Sequence, residues 1–152
     1  MKIVNQNNLD SEKLQKEIKK RKIREKEQKE ELEAYIKEAE AIPDLTVEKE
    51  KELFEKIAKN GDSEAIEKIT KANLKLVVSI AKKYVGRNPN FTLLDLVQEG
   101  NLGLFKAINK FNIERAKIKN YTFEQYATLW IRQSISRSIV NEGRIFRVSK
   151  SK

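Results

Sequence analysis

From residue 31 onward, apolar residues recur at steps of three and four, a pattern that predicts amphipathic helices. The most informative helix is expected to begin at Thr122, because Thr122 and Gln125 form a capping-box pair. Gly143 is expected to end it as a C′ glycine. One stripe of this helix is apolar or small, and it comprises Phe123, Tyr126, Ala127, Trp130, Ile131, Ser134, Ile135, Ser138 and Ile139.

The opposite face of this helix lacks the Glu and Lys residues of an ordinary solvated surface. It carries amides, hydroxyls, guanidinium groups and apolar side chains, with Tyr126 and Arg137 at its edge: Gln125, Leu129, Arg132, Gln133, Ser136 and Val140. Such groups can read base edges and hold phosphates. This face is therefore a candidate nucleic-acid interface.

The same periodicity predicts further helices. One carries Leu32, Tyr35, Ile36 and Ala39 and ends before Pro43; the next is capped by Thr46 and stopped by Asn60-Gly61. A long helix is expected over 63–84, with Asn73 as the one polar residue in its stripe, and another follows the capping box of Thr92 and Asp95. Its expected core stripe is Leu94, Val97, Leu104 or Phe105, Ile108 and Phe111.

No segment alternates like a strand, so the sequence predicts an all-α fold, a compact bundle of about five helices with a charged N-terminal helical extension. Residues 112–121 are expected to form a basic loop. Gly100 and Gly103 lie inside a predicted helix, where each costs about 1 kcal/mol relative to Ala. Another helix must therefore approach closely there, from the same domain or from a partner.

Residues 1–30 are charge-dense and carry no sustained heptad, so they are expected to be a frayed helix or disordered. A basic arm that touches nucleic acid is the weaker alternative, because the signs of its charges alternate. The packed domain is expected over residues 31–152.

Charge and composition narrow the function. The net charge is +9, and residues 100–152 hold 11 basic but only 3 acidic side chains, together with seven of the eleven aromatic residues. Basic groups among aromatics suit single-stranded or partly opened nucleic acid. The sequence has no Cys, no His and no phosphate-binding or nucleophile motif, so we expect no catalytic activity, no cofactor and no metal. It also has no spanning apolar run or signal peptide, which favours a cytoplasmic protein with no membrane partner.

Three motifs in order carry a resemblance: ANLKLVVSIAKKYVGR, then LDLVQEGNLGLFKAINKF, then YATLWIRQSISRSI followed by GRIFRV. Together they resemble the second region of the primary-type sigma factors of bacterial RNA polymerase. Residues 31–70 are similar to the segment that precedes this region in the family. The resemblance assigns 71–111 to polymerase docking and 112–148 to promoter melting and minus-ten recognition.

The resemblance implies two partners, core RNA polymerase and promoter DNA. Docking on the coiled coil of the largest polymerase subunit would involve Leu94, Asp95, Val97, Gln98, Glu99, Asn101 and Phe105. On the DNA side, Tyr126 takes the place of the tyrosine that stacks on the flipped adenine of the non-template strand. Gln133 and Ser136 face the upstream duplex pair.

The resemblance also implies supporting DNA contacts. Arg132, Arg137 and Arg144 would hold phosphates, whereas Asn73 and Leu76 would line the pocket of the last flipped base. Lys82 and Lys83 match a basic edge near DNA. The adenine pocket and the fork edge would include Phe111, Arg115, Phe123, Leu129 and Trp130.

Three departures from the family pattern bear on these expectations. Leu129 stands where the family has the first of two adjacent tryptophans, so the wedge at the fork is half missing. Four additional residues separate Phe111 from Tyr126, and the family's Gly-aromatic-Lys element is absent. The sequence stops at SKSK, so we expect either a fragment or a one-region factor. A one-region factor would need a separate chain to recognise the minus-thirty-five element. The resemblance also implies an anti-sigma factor as a further candidate partner. The alternative function is a sigma-like protein that occupies the docking site as a competitor or co-factor without reading promoters.

Overall fold

The computed structural model describes the backbone of residues 6–150 and the side chains of residues 7–141. Over that range the chain forms helices and no strand, which confirms the all-α prediction. The helices are α1 (Gln6–Ala41), α2 (Val47–Asn60), α3 (Ser63–Ala72), α4 (Leu74–Lys82), α5 (Leu93–Lys110), α6 (Ile113–Lys119) and α7 (Phe123–Lys150). None of these helices is long and apolar enough to cross a membrane.

The described chain divides into two units, one ending at Lys37 and the other beginning at Glu38. The first unit is the greater part of α1, and every side chain from residue 7 to residue 31 is exposed. The extension, for which a frayed helix and disorder were both open, is helical over residues 6–30. Nearer the end of α1, Leu32, Tyr35 and Ile36 are half-buried and Ala39 is buried.

The second unit has its core between α4, α5 and α7. Apolar side chains that are almost fully buried there come from the facing stripes of these helices: Val77, Val78, Leu96, Val97, Leu104, Ile108, Ala127, Ile131 and Ile135. α2 and α3 add Leu53, Phe54 and Ile69. Burial of this apolar surface is what holds the long helix α7 against α5.

The two glycines of α5 mark the closest approach to α7. A Cβ built on Gly103 would lie 2.6 Å from the carbonyl oxygen of Trp130 and 2.9 Å from Cα of Ile131. A Cβ on Gly100 would lie 2.7 Å from Cγ1 of Val77 and 3.3 Å from Cδ1 of Ile135. The close approach predicted at these glycines is therefore explained by helices of the same domain.

Side-chain caps set most of the helix starts. Thr46 Oγ1 accepts the Lys49 N–H at 3.1 Å, and the Thr92–Asp95 capping box has both of its hydrogen bonds. Thr122 and Gln125 form a second reciprocal pair, at 3.0 and 3.1 Å. These caps confirm the starts that were predicted for α2, α5 and α7.

The predicted helix over 63–84 is instead two helices that meet at Asn73. Asn73 Nδ2 donates to the carbonyl oxygen of Ile69 at 2.8 Å, and this is the carbonyl that the Asn73 N–H would use in a continuous α-helix. The Asn73 N–H bonds to the Thr70 carbonyl oxygen instead, and the backbone takes φ −108° and ψ 4°. The predicted buried stripe did not reveal this competition.

The basic loop predicted over 112–121 was also wrong, because residues 113–119 form α6. Asn112 Oδ1 accepts the Arg115 N–H at 3.0 Å and caps the helix, and Asn120 closes it in the left-handed conformation, with φ 56°. Asparagine is one of the few non-glycine residues that adopt this conformation readily.

Two smaller predictions also fail. Gly143 does not end the last helix, because α7 continues to Lys150. Leu94 is 36% exposed, so it does not belong to the core of α5. Of the two alternatives Leu104 and Phe105, Leu104 is buried at 0% and Phe105 is 54% exposed. The buried side of α5 instead carries Leu96, Ala107 and the two glycines. The observed buried side of α5 differs from the predicted apolar stripe because it includes the two glycines. A helix face that contacts the backbone of another helix needs small residues as well as apolar ones.

Candidate nucleic-acid interface

Tyr126 lies in the middle of an aromatic cluster at the start of α7. Its ring stacks on Tyr121, with centroids 5.7 Å apart and an interplanar angle of 15°. Phe111 lies 5.5 Å away on the core side, and Trp130 lies 6.2 Å away at an angle of 62°. Other aromatic rings thus hold the Tyr126 ring in place, and the ring is half-buried at the surface.

A groove of about 410 Å³ borders this cluster between α2 and α6, and a second, of about 350 Å³, opens directly at Tyr126. The second groove is lined by Arg115, Lys119, Tyr121, Gln125, Tyr126 and Leu129. It combines two aromatic rings and an aliphatic side chain with two cations and an amide. A nucleotide has a flat base, a phosphate and polar base edges. The rings of the groove can stack on the base, the cations can bind the phosphate, and the amide can bond to the base edge.

Trp130 is half-buried, so it serves both the core and the surface. Lys110 connects it to the end of α5: the Lys110 ammonium lies 4.9 Å from the centre of the Trp130 ring, and the Lys110 carbonyl oxygen accepts the Tyr126 hydroxyl at 3.4 Å. Sequence reasoning missed Lys110 and Tyr121. The signal for Tyr121 was its aromatic side chain five residues before Tyr126, at a helix start.

Farther along α7, Arg132, Gln133 and Arg137 are exposed, and Ser136 is half-buried. The Ser136 hydroxyl donates to the Tyr84 hydroxyl at 3.5 Å. This contact joins the polar face of α7 to the segment that directly follows α4.

The segment after α4 is tied to the same side of α7. The Arg87 guanidinium lies 4.4 Å from the centre of the Tyr84 ring, and Asn88 Nδ2 donates to the Ile139 carbonyl oxygen at 3.4 Å. The exposed Lys82 and Lys83 immediately precede Tyr84. These cations and the polar face of α7 can therefore act on one ligand.

Asn73 and Leu76 line a separate pocket of about 590 Å³, together with Asp44, Leu45, Glu50, Ala72, Lys75, Ser79 and Glu124. The Lys75 ammonium pairs with Asp44 at 2.6 Å and donates to the Ile42 carbonyl oxygen at 3.0 Å. Burial, followed by the nearby Glu124 carboxylate, raises the pKa of Glu50 above its ordinary value. The pocket therefore holds a carboxyl group whose ionised form is disfavoured.

Replacing Glu50 by Gln is expected to raise the thermal midpoint of unfolding at pH 7. Because the folded state holds the Glu50 proton more tightly than the unfolded chain, ionised Glu50 opposes folding above its ordinary pKa of 4.5. The gain should shrink as the pH falls through the raised pKa and should vanish below 4.5, where both states are protonated. Thermal denaturation between pH 4 and pH 8 would measure this.

Glu48→Gln is the matched control, because Glu48 shares the first turn of α2 but is exposed. It should give no pH-dependent gain. An equal gain in both variants would assign the effect to the helix terminus instead of the pocket.

The exposed side of α5 forms a second surface, which we call the docking face. At 100° per residue, Leu94, Gln98, Asn101, Leu102 and Phe105 fall within one arc of about 100°. Leu102 is 55% exposed and Phe105 is 54% exposed. Two large apolar side chains among polar groups are typical of a protein interface.

A groove between α5 and α7 joins the docking face to the polar face of α7. Glu99, Leu102 and Lys106 line one side of it, whereas Gln133 and Arg137 lie on the other. Asp95 is half-buried and keeps its cap role at the start of the docking face.

The profile of the family described as "Sigma-70 region 2" matches residues 69–145. This chain belongs to the sigma-70 region 2 family. Curated relatives named RNA polymerase sigma factor SigA are 51% identical in Clostridium acetobutylicum, 49% in a Bacillus species and 47% in Listeria monocytogenes, each over 114 residues. Those residues are 75% of this chain but only 28%, 28% and 29% of the relatives, so the chain spans less than a third of their length.

In this sigma-70 region 2 domain, some residues of the predicted sites are not available at the surface. Phe123 and Val97 are each 1% exposed, so Phe123 cannot offer its ring to DNA and Val97 cannot contact a docked partner. Phe123 supports the site from below, with its ring 5.1 Å from Phe111 and 4.8 Å from Phe54. Both residues face inward because their helix positions lie on the buried stripes.

Among the side chains that the structure describes, the other predicted DNA contacts of the region 2 domain are half-buried or exposed, and none is fully buried. Phe111 is half-buried in the aromatic cluster, and Leu129 is 66% exposed beside Tyr126. Arg144 belongs to the helical backbone of α7, but its side chain lies outside the described residues.

Proposed function

We propose that this chain is a promoter-opening module that docks on core RNA polymerase through α5 and captures unpaired minus-ten DNA at the Tyr126 groove. The observation that carries the proposal is the groove itself, in which half-buried aromatic rings meet exposed cationic and amide groups at the start of α7. Membership of the sigma-70 region 2 family supports the same assignment. The module would act in the cytoplasm, at the nucleoid.

The capture of a flipped base is assigned to Tyr126 and Tyr121 together. Tyr121 covers one face of Tyr126, so a base can extend the stack or replace Tyr121 on that face. Arg115 and Lys119, at the rim of the groove, would hold the adjoining phosphates. Stacking returns about 1–3 kcal/mol per base, which offsets the few kcal/mol needed to unpair and unstack it.

The remaining DNA contacts are assigned by exposure. Gln133 and Ser136 would face the upstream duplex pair, and Arg132, Arg137, Lys82 and Lys83 would hold phosphates. Leu129 and Trp130 would form the fork edge, with one indole instead of two. Asn73 and Leu76 would line the pocket of the last flipped base. No bond is cut in this scheme, because binding energy alone holds the strands apart.

Docking is assigned to the α5 face, with Leu102 added to the residues expected from the sequence. Leu94, Leu102 and Phe105 supply apolar surface, whereas Asp95, Gln98, Glu99 and Asn101 supply polar contacts. The partner would be the coiled coil of the largest polymerase subunit. The proposal assigns neither minus-thirty-five recognition nor an anti-sigma contact to the described residues.

Replacing Leu102 and Phe105 together by Ser is expected to weaken binding to core polymerase at least about tenfold. Both side chains are more than half exposed, so the fold should tolerate the change, while an interface would lose two apolar anchors. Titration of labelled protein with core polymerase, without DNA, measures the effect.

The matched control replaces Val47 and Ile118 by Ser, because these apolar residues are 81% and 83% exposed and lie outside α5. Its affinity should stay within about twofold of the unchanged protein. If the two double variants bind equally well, the docking face is not on α5.

A further inference from the structure

The helix α1 has a strongly uneven charge along its length. Residues 13–26 of α1 hold eight basic and two acidic side chains, a net charge of +6. Residues 27–41 hold two basic and six acidic side chains, a net charge of −4. The signs that alternate from residue to residue therefore separate into a basic segment and an acidic segment along the helix.

The continuous helix also sorts the basic segment into rows. Lys16, Lys20 and Arg24 follow one another at steps of four, so they lie one above the other on one side of α1. Lys13 and Lys19 each lie about 60° around the helix from Lys16, on opposite sides of it. At 1.5 Å per residue, residues 13–26 extend over roughly 20 Å of helix.

In the described part of the chain, no carboxylate lies within 4.0 Å of a cation of this row. Ion pairs within 4.0 Å there join Lys49, Lys56, Lys68, Lys71 and Lys75 to carboxylates, all of them beyond α1. Like charges four residues apart disfavour an isolated helix by a few tenths of a kcal/mol per pair. A polyanion alongside the row would turn this repulsion into attraction.

The side chains indicate which polyanion fits. Residues 7–31 contain no aromatic residue, so the segment cannot stack on unpaired bases. Six of the eight cations are Lys. Lys is depleted in the cores of protein interfaces, whereas it binds the phosphates of nucleic acids readily. Double-stranded DNA presents one charge per roughly 1.7 Å of its axis, so it can offer phosphates along the whole length of the basic segment.

We propose that residues 13–26 of α1 form a sequence-independent arm that binds the phosphate backbone of duplex DNA. This activity is separate from capture of the minus-ten strand, because it needs neither polymerase nor unpaired bases. The acidic segment after residue 26 confines the contact to the first part of the helix. The arm would raise the affinity of the chain for any duplex.

The test uses the full chain and a 25-base-pair duplex without promoter sequence, with fluorescence anisotropy at several salt concentrations and no polymerase. Replacing Lys16, Lys20 and Arg24 together by Gln should weaken binding at least about tenfold at low salt. It should also reduce the slope of log K against log salt by about 3, since each lost phosphate contact accounts for roughly 0.9. Gln has a helix propensity close to that of Lys and Arg, so circular dichroism should show unchanged helicity.

The matched control replaces Lys29, Lys37 and Lys56 by Gln, which removes the same charge from exposed helix positions outside residues 13–26. It should change the affinity by less than about threefold. Lys16→Arg with Lys20→Arg should retain full binding, which would exclude a loss through misfolding. Equal losses in the two triple variants would overturn the arm in favour of net charge alone. Unchanged duplex binding, with weaker binding to core polymerase, would also overturn it and would point to an acidic protein surface instead.

Discussion

Replacing Gly103 by Ala is expected to lower the free energy of unfolding by about 2–3 kcal/mol. The new methyl group would lie 2.6 Å from the Trp130 carbonyl oxygen and 2.9 Å from Cα of Ile131. Both contacts are with backbone, so no rotamer change can relieve them, and α7 must move away from α5. The higher helix propensity of Ala returns only about 1 kcal/mol.

Two comparison variants make this prediction specific. Gly100→Ala should cost less, because its methyl group meets side-chain atoms of Val77 and Ile135 instead of backbone. Asn109→Ala, on the exposed side of α5, should change stability by no more than about 0.5 kcal/mol. Urea denaturation gives all three values. A Gly103→Ala protein as stable as the Asn109→Ala protein would show that the helices are not in contact there.

Replacing Tyr126 by Ala is expected to weaken capture of single-stranded minus-ten DNA by about 10- to 100-fold in the presence of core polymerase. The variant loses the ring on which a base would stack, a contact worth roughly 1–3 kcal/mol. It also removes the ring that holds Tyr121 in place. Fluorescence anisotropy with a labelled minus-ten oligonucleotide measures the change.

Tyr126→Phe is the matched control. It keeps the ring and loses only the long hydrogen bond of 3.4 Å to the Lys110 carbonyl oxygen, so its affinity should stay within about threefold. A chain that merely occupies the polymerase as a competitor would tolerate both variants equally. Equal and unchanged binding of Tyr126→Ala and Tyr126→Phe would therefore favour the competitor function.

The sequence predicted the helices whose ends carry strong local signals. Thr46, Thr92 and Thr122 cap their helices as expected, because a cap depends on residues within one turn. Gly61, with φ 59°, ends α2 for the same local reason. At these positions the prediction needed only nearby residues and was correct, whereas the equally local stop predicted at Gly143 was wrong.

Predictions that depended on competition or on distant residues were less complete. The break at Asn73 arises because a side-chain amide takes a carbonyl from the helix backbone, which a stripe of apolar residues does not reveal. The burial of Val97 and the exposure of Leu102 depend on how the glycine face of α5 meets α7. The resemblance to sigma factors was correct, but it did not distinguish residues that support the site from residues that reach its surface.

The candidate site was predicted in part. Tyr126, Gln133, Arg132 and Arg137 are where a helical face places them, since one helix fixes their spacing. Three further residues join the site through contacts with residues of α7. Tyr121 lies 5 residues and Lys110 lies 16 residues before Tyr126 in the sequence, and Tyr84 lies 52 residues before Ser136. No pattern along one helix could have identified them together.

The most direct test of the proposed function compares two single-stranded oligonucleotides of equal length, one with a minus-ten element and one with the same bases scrambled. Binding of this chain to each is measured by fluorescence anisotropy in the presence of core RNA polymerase. We expect the minus-ten strand to bind at least about tenfold more tightly, and the difference to disappear in the Tyr126→Ala protein. Equal affinity for the two strands would contradict promoter reading by this chain.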